Sequence, residues 1–204
     1  MWSPIAIKRD GRFLRSSALR WRPDAAWVSL REKDLPEDEQ VLLARTLLPI
    51  TRRHQAFLML HGEAALANLA GADGVHLPSG RDAAAARKFL DPGKFIGLSI
   101  HPATEAAAVD PATVDYAIAG PAFETPSKPG YGPEIGRKGL REMAAAASVP
   151  LLAIGGINTA RIGDVIAAGC AGIAVMGGVM RAADPAIEVK ALTASLCGAL
   201  AIKA

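Results

Sequence analysis

Aromatic side chains make up only 5% of this 204-residue chain and interleave with no run of Lys or Arg, so base-stacking platforms for nucleic acid are missing. Cysteine is nearly absent. Cys170 and Cys197 sit in Ala- and Gly-rich surroundings without C-x-x-C spacing, too few for a secreted disulfide framework. Both read as small core residues in a reducing cytoplasm. Met1-Trp2-Ser3-Pro4 lacks the charged and apolar regions of a signal peptide, which points to the same location. The longest uncharged apolar run, Val165 to Met180, is shorter than a bilayer span and is broken by Gly169, Gly172, Gly177 and Gly178. Charge of one sign is in small excess only: 23 Lys and Arg against 20 Asp and Glu give +3. The basic stretch from Lys8 to Arg22 reads as a solvated face, so neither nucleic acid nor membrane is an expected partner.

What the chain does have is apolar residues, half of the total, enough to bury one substantial core in a single soluble domain. Short apolar runs alternate with longer amphipathic ones, the pattern of βα units around a parallel sheet. Strands are expected at Pro4–Ile7, Ala26–Leu30, Ala56–Leu60, Gly74–Leu77, Phe95–Ile100, Tyr116–Ala119, Pro150–Ile154 and Gly172–Met176. Helices are expected at Glu37–Arg53, Glu63–Ala70, Arg81–Leu90, Thr104–Val109, Gly139–Ala147, Thr159–Ala168 and Pro185–Leu200. Start signals support several of them: Pro36 before Glu37-Asp38-Glu39, Asn158 before Thr159, and Asp184-Pro185. The fold class is therefore α/β, a single (β/α)8 TIM barrel, rather than an open doubly wound sheet. Its first βα unit is degenerate, because Lys8 to Asp24 holds no full helix.

In such a barrel, polar or glycine-rich signals just after a strand lie at the catalytic face. Two adjacent ones follow strands seven and eight: Gly155-Gly156, and Met176 with Gly177-Gly178. Glycines there let backbone N–H groups approach an anion, so these residues are candidates to bind phosphate. After strand two, Arg31 and Lys33 project from the same side and complement phosphate or carboxylate oxygens. After strand five, Ser99 and His101 alternate in the same way. His101 is placed for proton transfer, since histidine titrates near neutral pH. His76 reads either as a barrel-interior residue or as a competing base, His61 as a ligand contact, and His54 as a helix-end charge. The long segment Gly120 to Gly130 carries Thr125, Ser127 and Lys128 and reads as a lid over an anion.

Taken in order from Trp27 to Asp184, these segments resemble the thiamine phosphate synthase/TenI family. The resemblance is carried by Leu30-Arg31-Glu32-Lys33, Gly71-Ala72-Asp73-Gly74-Val75-His76-Leu77, Gly97-Leu98-Ser99-Ile100-His101, Asp115-Tyr116, Gly120-Pro121-Ala122-Phe123, Thr125-Pro126-Ser127-Lys128, Ala153-Ile154-Gly155-Gly156-Ile157 and Gly172-Ile173-Ala174-Val175-Met176. It implies the same barrel and a small phosphorylated heterocycle as ligand, and it leaves a homodimer open. The synthase of this family joins a pyrimidine diphosphate to a thiazole phosphate. It would imply Mg²⁺ held by one Asp after strand three and another after strand four.

Here those places read His61-Gly62 and Pro78-Ser79-Gly80-Arg81, while Asp82 stands one residue off and Glu63 begins a helix. Neither restores the oxygen geometry of a hard cation, so no metal and no cofactor is expected. Leu77-Pro78-Ser79-Gly80 and Phe123-Glu124-Thr125 look like the TenI branch, whose activity is thiazole tautomerisation. The leading expectation is accordingly an isomerase, a metal-independent thiazole tautomerase with His101 as general base and acid. Arg31, Lys33, Ser99, Thr125, Ser127 and Lys128 would contact its substrate. The alternatives are a thiamine phosphate synthase with an altered metal site, and a barrel that binds a phosphate ligand without catalysis.

Overall fold

The computed structural model describes residues 2–7, 26–125 and 133–203, with the backbone alone for 2–7, 26 and 203. In chain order the elements are β1 (Trp2–Ile7), β2 (Ala26–Leu30), α1 (Glu37–Arg53), β3 (Phe57–His61), α2 (Ala64–Ala70), β4 (Gly74–Leu77), α3 (Ala83–Phe89) and β5 (Phe95–Ile100). They continue with α4 (Ala103–Ala108), β6 (Tyr116–Ala119), α5 (Gly136–Ala146), β7 (Leu151–Ile154), α6 (Thr159–Ala167), β8 (Gly172–Ala174), α7 (Gly177–Met180) and α8 (Pro185–Lys203). Local signals account for the helix ends. Asp82 accepts from the Ala85 N–H at 2.9 Å, Asn158 from the Arg161 N–H at 3.2 Å, and Asp184 from the Ala186 and Ile187 N–H groups. In α1, acidic residues in the first turn and Arg52 and Arg53 in the last suit the helix dipole.

Strands β2 to β8 run parallel, each paired with the next, and curl around a common interior. β1 runs the other way, antiparallel to β2 and to β8, and bridges the two edges of the curl. This corrects the expectation of eight parallel strands: seven are parallel and the first is not. A parallel neighbour needs a crossover of a dozen or more residues, usually a helix, whereas an antiparallel one does not. The segment 8–25, expected to hold no full helix, lies outside the described residues.

The pleat sorts each strand into two faces. In β3, Leu58 and Leu60 are buried outward against the helices, while Phe57 and Met59 pack inward and His61 completes that inner row. Four of the chain's few aromatics close the floor of the ring. The Trp27 ring centroid lies 4.7 Å from Phe95, 5.1 Å from Tyr116 and 5.2 Å from Phe57. The aspartates of Ala-Asp-Gly and Asp-Tyr fasten the strand starts below it. Asp73 accepts from the Leu58 N–H at 2.8 Å, and Asp115 from the Ile96 N–H at 2.7 Å.

One further expectation changes. Cys170 is buried as expected, but Cys197 is exposed on α8. That helix also holds an 18-residue window of mean hydropathy 1.4, Pro185–Ile202, long and apolar enough by length and composition to cross a membrane. Glu188 and Lys190 interrupt it, which is why no uncharged run marks it in the sequence. In the fold it packs along α6 and buries Leu192 and Leu196.

Candidate functional site

The C-terminal ends of the parallel strands open into a cavity of about 760 Å³. It gathers most of the residues singled out in the sequence: Arg31, Lys33, Ser99, His101, Thr125, Gly155, Gly156, Met176, Gly177 and Gly178 all line it. Ser127 and Lys128 lie outside the described residues. Charge in the lining is one-sided. Arg31, Lys33, Arg161 and Arg181 face a single carboxylate among the described lining residues, that of Glu124.

The loop after β7 has a backbone that requires glycine. Gly155 and Gly156 have φ of +102° and +63°, a backbone region that side chains rarely enter. A Cβ on Gly156 would also run into the Glu124 carbonyl oxygen and the Arg161 guanidinium. The neighbouring chain holds the loop in place: the Phe123 N–H donates to the Gly155 carbonyl at 3.1 Å, and the Ala122 N–H to that of Ile154 at 2.7 Å. The second loop differs from expectation. β8 stops at Ala174, and Met176 caps the four-residue α7, which begins at Gly177. Space does not require glycine at 178, where the nearest atom to an added Cβ would be the Ile157 carbonyl oxygen at 3.9 Å.

Arg161 is the main residue that sequence reasoning missed. Its Nη1 donates to the Gly156 carbonyl at 3.0 Å, and its guanidinium lies 4.7 Å from the centre of the Phe123 ring. Its signal was the position three residues after the cap Asn158, in the first turn of the helix that follows the glycine loop. Arg181, just beyond α7, carries no signal of its own.

On the floor of the cavity His76 is buried between two hydroxyls. Its Nε2 lies 2.9 Å from Ser99 Oγ and its Nδ1 3.2 Å from Tyr116 Oη. Burial, with a smaller contribution from His61, lowers its pKa to about 3, so the ring stays neutral and shares one proton between those partners. Burial raises the Tyr116 pKa, so that hydroxyl keeps its proton. His61, which lines the cavity with Arg31 and Lys33, is lowered to about 4 by burial and by the charges of those two cations. His101 stands at the rim, with Nδ1 2.6 Å from the Gly120 carbonyl. A carbonyl only accepts, so Nδ1 carries the proton and Nε2 is the ring's acceptor when neutral.

The positions where the family resemblance implies Mg²⁺ do not suit that ion. Gly62 has no side chain, and Ser79 donates its hydroxyl to Glu105 at 3.1 Å. Arg81 is ion-paired with Glu63, and Asp82 is engaged as the cap of α3. Among the described residues no group of three or more His, Cys, Asp or Glu could hold a metal ion.

The family model described as thiamine monophosphate synthase matches residues 7–179. The chain belongs to this family. A thiamine-phosphate synthase of Roseiflexus sp. is 38% identical over 188 residues, covering 91% of this chain and 78% of that protein. The thiamine-phosphate synthase of Moorella thermoacetica is 38% identical over 169 residues, covering 82% and 80%. Among solved structures, a thiamine phosphate pyrophosphorylase from Pyrococcus furiosus superimposes with a TM-score of 0.75 at 28% identity, covering 85% of this chain and 84% of that one. These relatives overturn the leading sequence expectation. They are named for the family's synthase, a transferase, and not for the tautomerase or any isomerase. The proton-transfer role given to His101 belonged to the tautomerase and falls with it.

Proposed function

We propose that this chain is a transferase that forms thiamine phosphate, joining hydroxymethylpyrimidine diphosphate to a thiazole phosphate. The observation that carries this reading is a cavity lined by two sets of groups suited to anions, from different strand ends. Arg31 and Lys33 stand at the end of β2, while Gly155, Gly156, Gly177 and Gly178 with Arg161 and Arg181 come from β7, β8 and the helices after them. A reaction between a diphosphate and a monophosphate needs both, and about 760 Å³ is within the range of small-molecule sites. The names of the relatives support the same reading.

The bond from the pyrimidine's methylene carbon to the diphosphate oxygen breaks, and the oxygen keeps the electron pair. The thiazole nitrogen forms the new bond to that carbon. No proton need move between carbon atoms, so the protein's task is to bind, orient and stabilise the charge that develops on the leaving diphosphate. Arg31 and Lys33 carry that charge, the glycine loops and Arg161 hold the thiazole phosphate, and Ser99 and His101 orient the ring between them. Thr125, Ser127 and Lys128 keep their assignment as substrate contacts from the adjoining segment, and a cytoplasmic location belongs to the same proposal.

The test is incubation of the full chain with both substrates, following thiamine phosphate by chromatography and released pyrophosphate by enzymatic assay, with and without Mg²⁺. Formation of both products in equal amounts is expected. Absence of both under either condition would overturn the reading. The missing metal carboxylates favour one second reading, a barrel that binds phosphate ligands without turnover. Tight binding with no product would select it.

A further inference from the structure

The synthase reading brings a highly charged diphosphate into a cavity where, among the described residues, no group of three or more His, Cys, Asp or Glu could hold a metal ion. The described acids beside the implied metal positions are engaged: Glu63 by Arg81, Asp82 by the Ala85 N–H, and Glu105 by the Ser79 hydroxyl and the His101 backbone N–H, while Glu124 lines the cavity from the segment after β6. A divalent ion there would meet fixed positive charge, and the three acids beside it are already committed.

We propose that the chain binds the diphosphate through its own cations, Arg31 and Lys33, without a divalent metal. This deepens the synthase reading and rests on it. Both side chains line the cavity from the end of β2, whose last residue, Leu30, is fully buried and anchors them. The Arg31 guanidinium offers paired N–H donors in a plane that matches two phosphate oxygens, and Lys33 adds a mobile point charge. His61, at the end of the adjacent strand, lines the same cavity as these two cations. His61 and Ser79 occupy the positions after β3 and β4 where the resemblance implies carboxylate-bearing segments, and both line the same cavity with neutral polar groups. The exchange is consistent on all three strands: cations retained after β2, oxygen anions removed after β3 and β4.

Calorimetric titration of the full chain with inorganic pyrophosphate tests this, once in EDTA and once in Mg²⁺. Saturable binding in EDTA is expected, with no more than about threefold tighter binding when Mg²⁺ is added. The Arg31→Gln/Lys33→Gln double variant should bind at least roughly tenfold more weakly, while Arg161→Gln, at the other anion group, stays within about threefold. Circular dichroism melts establish that each variant is folded. Binding that requires Mg²⁺, no binding in either buffer, or a loss in Arg161→Gln instead of the double variant would overturn the proposal. Because the titration involves no turnover, its failure is distinct from that of the synthase reading. A chain that forms product only with Mg²⁺ would keep the activity and lose the metal-free site. One that binds pyrophosphate in EDTA yet forms no product would do the reverse.

Discussion

His76 and Ser99 meet across two parallel strands, Nε2 to Oγ at 2.9 Å, on the floor of the cavity. Tyr116 Oη lies at the other ring nitrogen, and burial, with a smaller contribution from His61, disfavours a second proton on the imidazole. An unfolded chain takes up that proton below about pH 6.5, whereas the folded one refuses it until about pH 3. Stability is therefore present in full above pH 6.5 and falls as the pH drops through that window. The loss approaches about 1.4 kcal/mol per pH unit from this residue. Between pH 6.5 and pH 5, urea unfolding of His76→Gln should lose about 1.5 kcal/mol less stability than the parent loses. An unchanged pH dependence in the variant would mean that His76 is not the group responsible. His61, lowered to about 4, adds a loss of the same sign and similar size over that window, and this part remains in His76→Gln.

Gly97 lies between His76 and the Tyr116 ring, and an added Cβ would collide with both. Gly97→Ala should lower stability by about 1–3 kcal/mol, as overpacking of a rigid core does. Gly163, within α6, has open space around its Cβ position, and Gly163→Ala should raise stability by about 0.5–1 kcal/mol. Thermal melts of the two variants should shift in opposite directions.

Asp115 accepts both the Ile96 N–H and Arg87 Nη2, at 2.7 and 2.6 Å. Asp115→Ala leaves a strand N–H and a guanidinium without their acceptor and should cost about 1–3 kcal/mol in denaturant unfolding. The exposed pair Lys138–Glu142, at 4.0 Å, is the contrast: Lys138→Ala should change stability by less than about 0.5 kcal/mol. Equal effects would show that the aspartate before β6 is not a structural fastening.

Arg161→Gln removes a charged contact to the Gly156 carbonyl and a cation from the part of the cavity proposed to hold the monophosphate. KM for the thiazole phosphate should rise roughly tenfold or more, with a smaller change in kcat. A fall in kcat at unchanged KM would place Arg161 in the chemical step and not in binding.

The tautomerase expectation rested on a few residues after β4 and β6 that depart from the synthase pattern. Those departures stand, and His61-Gly62 and Ser79-Gly80-Arg81 do lack the implied ligands. They report on one part of the mouth, however, whereas the relatives match the chain over 82% to 91% of its length. Missing metal ligands at one part of the mouth do not by themselves imply a different reaction.

Local sequence alone determined the alternation of strands and helices, the caps Asp82, Asn158 and Asp184, and the strand ends that carry Arg31, Lys33, Ser99 and His101. Each depends on pleat period, cap chemistry or helix dipole, interactions between residues a few positions apart. Tertiary structure decided the rest. The direction of β1 depends on what edges β2 and β8 offer it, and no local pattern encodes that. His76 could be read as interior residue or base until the curl of the sheet brought Ser99 and Tyr116, 23 and 40 residues further along the chain, to its two nitrogens. Arg161 looked like any polar residue in a helix's first turn until the Gly156 carbonyl and the Phe123 ring converged on it from separate loops. A side chain's protonation and partners are set by the groups that folding places within a few ångströms, and for these residues most of those groups lie far away in the sequence.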